Sequence, residues 1–193
     1  MAPSSSLPHC LLKSVTWYER NPALLAGEFA SLESFQEEYN HPQFKYGYRY
    51  RRPPAVSADD PECDGKLEIS VQFPFCPGPG CPTEIWLFQL LYDDNHPNQK
   101  FKGIFGGSIK AYPMKRKREI KPGVFCDVPI NMTFHHLVKE DHLRRKYVCQ
   151  RGETNTSEVS AGHVLRNLAR WLTVYFVYET TMIDIDAELK RQY

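Results

Sequence analysis

Residues 99–122 read Gln99-Lys-Phe-Lys-Gly-Ile-Phe-Gly-Gly-Ser-Ile-Lys-Ala-Tyr-Pro-Met-Lys-Arg-Lys-Arg-Glu-Ile-Lys-Pro122. The fold turns on how this stretch is read. It holds eight Lys or Arg and one Glu. An apolar, glycine-broken half (Phe101, Ile104, Phe105, Ile109) runs into a dense cationic half, Lys115 to Arg118. The first half fits either a short helix broken at Gly106-Gly107 or a strand with a glycine bulge. The second, with Pro113 ahead and Pro122 behind, reads as a cationic loop offered to solvent. A segment this positive is suited to a negative partner: nucleic acid, an anionic membrane or an acidic receptor.

The rest of the chain supplies a counterpart. Residues 1–99 carry 7 basic and 13 acidic side chains, a net of −6, and residues 100–193 carry 17 and 10, a net of +7. A formal net charge of +1 therefore hides a dipolar molecule. One end can bind an anionic surface and the other its own neighbour. Hydrophobic residues make up 41% of the chain and aromatics 13%, enough for a packed core and too much for wholesale disorder. With 193 residues, a single domain with tails is expected. No apolar run has the length of a membrane span. Met1 to Leu12 lacks the charged and apolar regions of a secretory leader, and neither end carries a lipidation motif. The six cysteines are accordingly expected as thiols in a reducing compartment.

Working outward, Asn21-Pro22 starts an acidic amphipathic helix with Leu25, Phe29, Leu32, Phe35 and Tyr39 on one face. That helix either docks on the core or binds a second protomer. From Phe44 to Arg52, tyrosines alternate with cations. Tyr46, Tyr48, Arg49, Arg51 and Arg52 form either a strand or a surface that stacks on bases and pairs with phosphates. Residues 53–65 are a turn-forming linker, so residues 1–65 read as an N-terminal arm and 66–193 as the core domain. Lys66 to Phe75 alternates well enough to be a strand. Cys76-Pro-Gly-Pro-Gly-Cys81 is a tight loop. Glu84 to Tyr92 reads as a helix capped by Thr83, with a strand as the alternative. Val124 to Phe134 fits an edge strand interrupted by Pro129, and Tyr147 to Cys149 a short strand. Ser160 caps a helix, and Leu172 to Tyr178, continuous β-formers, reads as a central strand. The expectation is α+β: a single compact domain with a mixed or antiparallel sheet, two or three helices and an N-terminal arm.

Function is less legible. No glycine loop has the spacing that cradles phosphate, and no motif marks a Cys–His pair for nucleophilic catalysis, so no enzyme is expected. Cys76 and Cys81 could meet His135, His136 or His142 at zinc, but the paired ligand spacing of zinc modules is missing, so neither metal nor cofactor is expected. What remains is charge. Lys115, Arg116, Lys117, Arg118 and Lys121 match a nuclear-import or anion-binding cluster. Lys100, Lys102, Lys110, Arg144, Arg145 and Lys146 extend it toward membrane or nucleic acid.

The order of strand (Lys66 to Phe73), apolar segment (Ile85 to Tyr92), turn and then Lys100-Phe-Lys-Gly-Ile-Phe-Gly-Gly-Ser-Ile-Lys-Ala-Tyr-Pro113 resembles the core of rhabdovirus matrix proteins. The resemblance covers residues 66–134. It departs from that family where the N-terminal region lacks a Lys-rich run and where Arg52-Pro-Pro-Ala55 replaces a Pro-Pro-x-Tyr motif. It implies a structural protein that self-associates and bridges the viral nucleocapsid and the inner face of the membrane, in the virion and in host cytoplasm or nucleus. The import-like cluster suits a plant-infecting member whose matrix protein enters the nucleus through an import receptor. The other reading is a nuclear nucleic-acid-binding or host-modulating protein imported through the same signal.

Overall fold

A computed structural model of the chain describes residues 22–51, 66–92, 109–134, 136–140, 145–149 and 160–182. Helix α1 (Pro22–Tyr39) leads into β1 (Lys45–Arg51), β2 (Lys66–Phe75), β3 (Glu84–Tyr92), β4 (Ile109–Lys121) and β5 (Val124–Val128). These five strands form one antiparallel sheet in the order β1-β2-β3-β4-β5. A two-stranded ribbon of β6 (Leu137–Glu140) and β7 (Arg145–Val148) lies beside β4, and α2 (Ala161–Thr181) follows. The fold is α+β, with both helices on one face of the sheet. Lys100, Lys102, Arg144 and Arg52, and the 101–108 half of the opening stretch, lie outside the described residues.

The 1–65 region is not an arm where it is described. β1 pairs with β2 along its whole length, and Leu32, Phe35 and Phe44 belong to the main core. The alternation that fitted a strand from Lys45 onward is what ties it to the sheet.

β3 is a strand rather than a helix. Trp86, Phe88, Leu90 and Tyr92 face the helices, and Ile85 and Leu91 are buried on the opposite side. A strand covered on both faces loses its period of two and looks like a buried helix in sequence. The reverse error occurs at Leu172 to Tyr178, which is helical. Val164, Leu165, Leu168, Trp171, Leu172 and Tyr175 keep helical spacing through it, and burial of that stripe outweighs the β-preference of Val, Tyr and Phe. Ser160 caps α2 as expected, its hydroxyl accepting from the His163 N–H at 3.3 Å.

The helices cross at Gly162. A Cβ there would lie 2.3 Å from the Ser31 carbonyl oxygen, so only glycine lets the backbones approach. Two groups of α1 use that proximity to serve the start of α2. The Gly162 N–H donates to Ser31 Oγ at 3.1 Å, and the Ala161 N–H donates to Glu28 Oε2 at 2.7 Å. The Tyr92 hydroxyl also donates to that oxygen, at 3.0 Å. Glu28 is buried, and its carboxyl caps the start of α2. Glu28→Ala is expected to cost about 2–3 kcal/mol in urea denaturation, because buried donors lose their acceptor. Glu28→Gln keeps an acceptor and should cost less than half as much.

Candidate functional site

The cationic half of the opening stretch is neither a loop nor wholly exposed. It is the middle of β4, and a bulge decides which of its cations face inward. The register runs Phe88↔Pro113 and then Leu87↔Lys115, so Met114 is an extra residue without a partner on β3. Before it, Ile109 and Ala111 are the core positions. After it, the inward phase moves to Arg116 and Arg118, and Lys115 and Lys117 turn to the other face. Met114 itself is half exposed.

Arg116 corrects the expectation of a solvent-offered cluster, because its side chain is fully buried. It sits 5.0 Å from the Trp86 ring and 5.4 Å from the Tyr175 ring. Its guanidinium donates to Glu84 through Nε at 2.8 Å and Nη2 at 2.7 Å, and to Glu179 at 2.7 and 2.6 Å. Two bidentate carboxylate pairs are the geometry arginine satisfies best. Arg118 Nε adds a bond to Glu84 at 2.9 Å, and the Trp86 indole N–H another at 3.0 Å. Two cations meet two carboxylates, and the cluster bolts β3 and β4 to α2. Tyr175 extends it, accepting from the Asn131 N–H at 2.5 Å.

Burial opposes ionisation of Glu84, but the hydrogen bonds and charge of Arg116, with Arg118 and Trp86, outweigh it and hold the carboxyl below its ordinary 4.5. Arg116 is likewise disfavoured by burial and more than restored by Glu179 and Glu84, so it stays charged at any accessible pH. Burial foremost, with Glu179 assisting, pushes the Tyr175 hydroxyl up to about 12 against the Asn131 N–H and Arg116. A depressed carboxyl stabilises the fold above its unfolded pKa and loses that contribution as pH falls through the folded value. A raised phenol does the opposite: its contribution is whole below pH 10 and lost as pH rises through about 12. Urea midpoints should therefore fall below pH 4.5, more steeply in the wild type than in Glu84→Gln, and fall again above pH 10.

The opposite face of the sheet carries the outward cations. Across it run Lys45, Gln72, Leu87 and Lys115 in register, with Ser70 and Gly47 exposed alongside and Lys117 in the next row. Asp127 on β5 pairs with Lys115 at 2.9 Å, both side chains well exposed, so the contact is weak and leaves Lys115 available. Lys121 is exposed at the β4–β5 turn, where Gly123 takes a φ of +76°. Toward β7 the same face is covered. Lys110 lies over the Tyr147 ring at 5.3 Å, Arg145 donates to Gln89 at 3.2 Å, and Lys146 donates to the Met132 carbonyl.

Other sequence expectations separate. Tyr46 and Tyr48 lie on the helix side, Tyr48 against Phe29 at 5.0 Å and Tyr46 against Phe44 at 6.3 Å. Strand alternation thus removes these tyrosines from the face of Lys45, and the interleaved aromatic-basic surface does not form from them. Arg49 and Arg51 pair in register with Glu68 and Lys66, and their side chains lie outside the described set. A receptor reading four consecutive cations cannot reach Arg116 in the folded state, so an import signal here reduces to Lys115, Lys117, Arg118 and Lys121. Cys76 and Cys81 fall at the β2–β3 turn, and among the described residues no third metal-ligand group joins them. The signal that sequence reasoning missed is the pair Glu84 and Glu179, remote in sequence from the arginine they hold.

Comparison of the chain with known protein families, with curated proteins and with solved structures gives no match. The class it defines rests on its own geometry: an α+β domain whose antiparallel sheet is sealed by two helices on one side and carries lysines on the other, partly covered side.

Proposed function

We propose that this chain is a non-enzymatic structural protein of matrix type, which self-associates and bridges an anionic nucleocapsid and the inner face of a membrane. The observation that carries the reading is the phase change at Met114, which sends Lys115 and Lys117 to the same outer face as Lys45. A cationic face is suited to a charged surface, each lysine adding about 1 kcal/mol near an anionic bilayer, less in salt. No helix among the described residues is long and apolar enough to cross a membrane, so the contact is peripheral in this reading.

Self-association follows from charge on opposite sides. On α1, the exposed Glu33 and Glu37 lie on the helix side, and the lysines lie on the other. Head-to-tail contact between unlike faces leaves each assembly with one of each unpaired, at opposite ends, and grows open arrays rather than closed dimers. Flotation with phosphatidylserine vesicles, beside sedimentation at two salt concentrations, tests both parts. Wild-type protein should float and assemble at low salt, and the combined Lys45→Gln, Lys115→Gln, Lys117→Gln variant should lose most of both. A wild-type monomer that ignores vesicles would sink the proposal. Binding RNA but not vesicles would favour the nucleic-acid reading instead.

A further inference from the structure

We propose that Cys76 and Cys81 are a thiol pair that closes into a reversible disulfide across the β2–β3 turn, by exchange with a low-molecular-weight disulfide of the glutathione class. Both are free thiols, Cys76 exposed and Cys81 partly so. They flank Pro77-Gly-Pro-Gly80, and the ladder on the far side closes at Phe75↔Glu84. The Cys81 N–H donates to the Gly78 carbonyl at 3.1 Å, which folds the loop back on itself. Cys76 Sγ consequently lies 3.4 Å from the Gly78 carbonyl oxygen and 3.8 Å from that of Cys81. The sulfur of one cysteine thus already rests on the backbone of the other, and the Cys81 Cβ is three covalent bonds from the oxygen it touches. The turn thus holds the two residues side by side, and Pro77 and Pro79 fix two of the φ angles between them.

The chemistry balances without an outside reductant or metal. The Cys76 thiolate attacks one sulfur of oxidised glutathione, forming a mixed disulfide and releasing one glutathione thiolate. The Cys81 thiolate then attacks the Cys76 sulfur, forming the intramolecular disulfide and releasing the second. Two electrons and the two thiol protons pass to two molecules of glutathione. Cys76 is the entry point because it is the more exposed. The clasp sits beside two ties of the fold: the Tyr39 hydroxyl donates to the Pro74 carbonyl, and Glu84 holds Arg116. Oxidation would fasten the end of the hairpin that carries them.

Trypsin isolates the pair, because no Lys or Arg lies between Lys66 and Lys100 and the fragment holds two of the six cysteines. Folded protein equilibrated with oxidised and reduced glutathione, then alkylated and digested, should give this fragment two hydrogens lighter and unalkylated. Cys81→Ser should stall at a glutathione adduct on Cys76, and Cys76→Ser should leave Cys81 largely unreacted. In guanidinium-unfolded chain, closure should need a glutathione pool roughly tenfold more oxidising, because the turn no longer holds the thiols together. A fragment that stays dithiol, that stops at a mixed disulfide in the wild type, or that closes as readily when unfolded would overturn the proposal.

Discussion

Arg116→Ala is expected to lose about 3–5 kcal/mol of folding stability, a large part of the roughly 5–15 kcal/mol that holds a domain of this size. Removing the guanidinium leaves the buried Glu84 carboxylate with one guanidinium instead of two, and strips Glu179 of its close partner. Desolvated charge then has to be neutralised or hydrated, which the site between Trp86 and Tyr175 resists. Arg116→Lys should recover little, since an ammonium cannot make two forked pairs at once. Outward-facing neighbours serve as the control: exposed Lys115→Ala and half-buried Lys117→Ala should fall within about 0.5 kcal/mol of wild type. Urea denaturation of the four variants checks the contrast. A loss at Arg116 no greater than at Lys115 would mean that the cluster is not formed.

Deletion of Met114 and Lys115 together is expected to be worse, abolishing cooperative folding. Arg116 would then follow Pro113 and fall opposite Leu87, one position short of Trp86. It and every following side chain would change face. Lys117 would enter the space against Trp86 and Tyr175, and Arg116 would leave its carboxylates. Deletion of Met114 alone should be far milder, because Lys115 then follows Pro113 just as their partners Leu87 and Phe88 adjoin, and the ladder closes without a bulge in the same register. The two deletions separate removal of the bulge from loss of the phase it sets, read by thermal unfolding and near-ultraviolet circular dichroism. At the helix crossing, Gly162→Ala should cost about 3 kcal/mol, since its Cβ meets backbone rather than a side chain that can swing away.

Legibility in the sequence followed physical cause. α1 could be read because it exposes one face and buries the other, and β2 because polar Glu68, Ser70 and Gln72 alternate with apolar core residues even though Glu68 is also buried. β5 could be read to Val128, where Pro129 ends the ladder. β3 could not, since both its faces are covered. The second half of α2 hid behind residues that prefer strands until the longer stripe from Val164 to Tyr175 is followed. The bulge at Met114 has no mark of its own, because no glycine signals it. Nor does the cluster: Arg116 stands 32 residues from Glu84 and 63 from Glu179, and only the paired strands and the packed helix bring them together. A run of four cations looks uniform in one dimension, and alternation makes it two different things.

That division is the centre of the account, and covalent footprinting of the native protein tests it most directly. Lysine acetylation and arginine modification by phenylglyoxal, mapped by mass spectrometry, should label Lys115 and Lys117 readily, Arg118 partially, and Arg116 only after unfolding. Equal labelling of Arg116 and its neighbours in the folded protein would contradict it, returning the segment to a solvent-exposed loop.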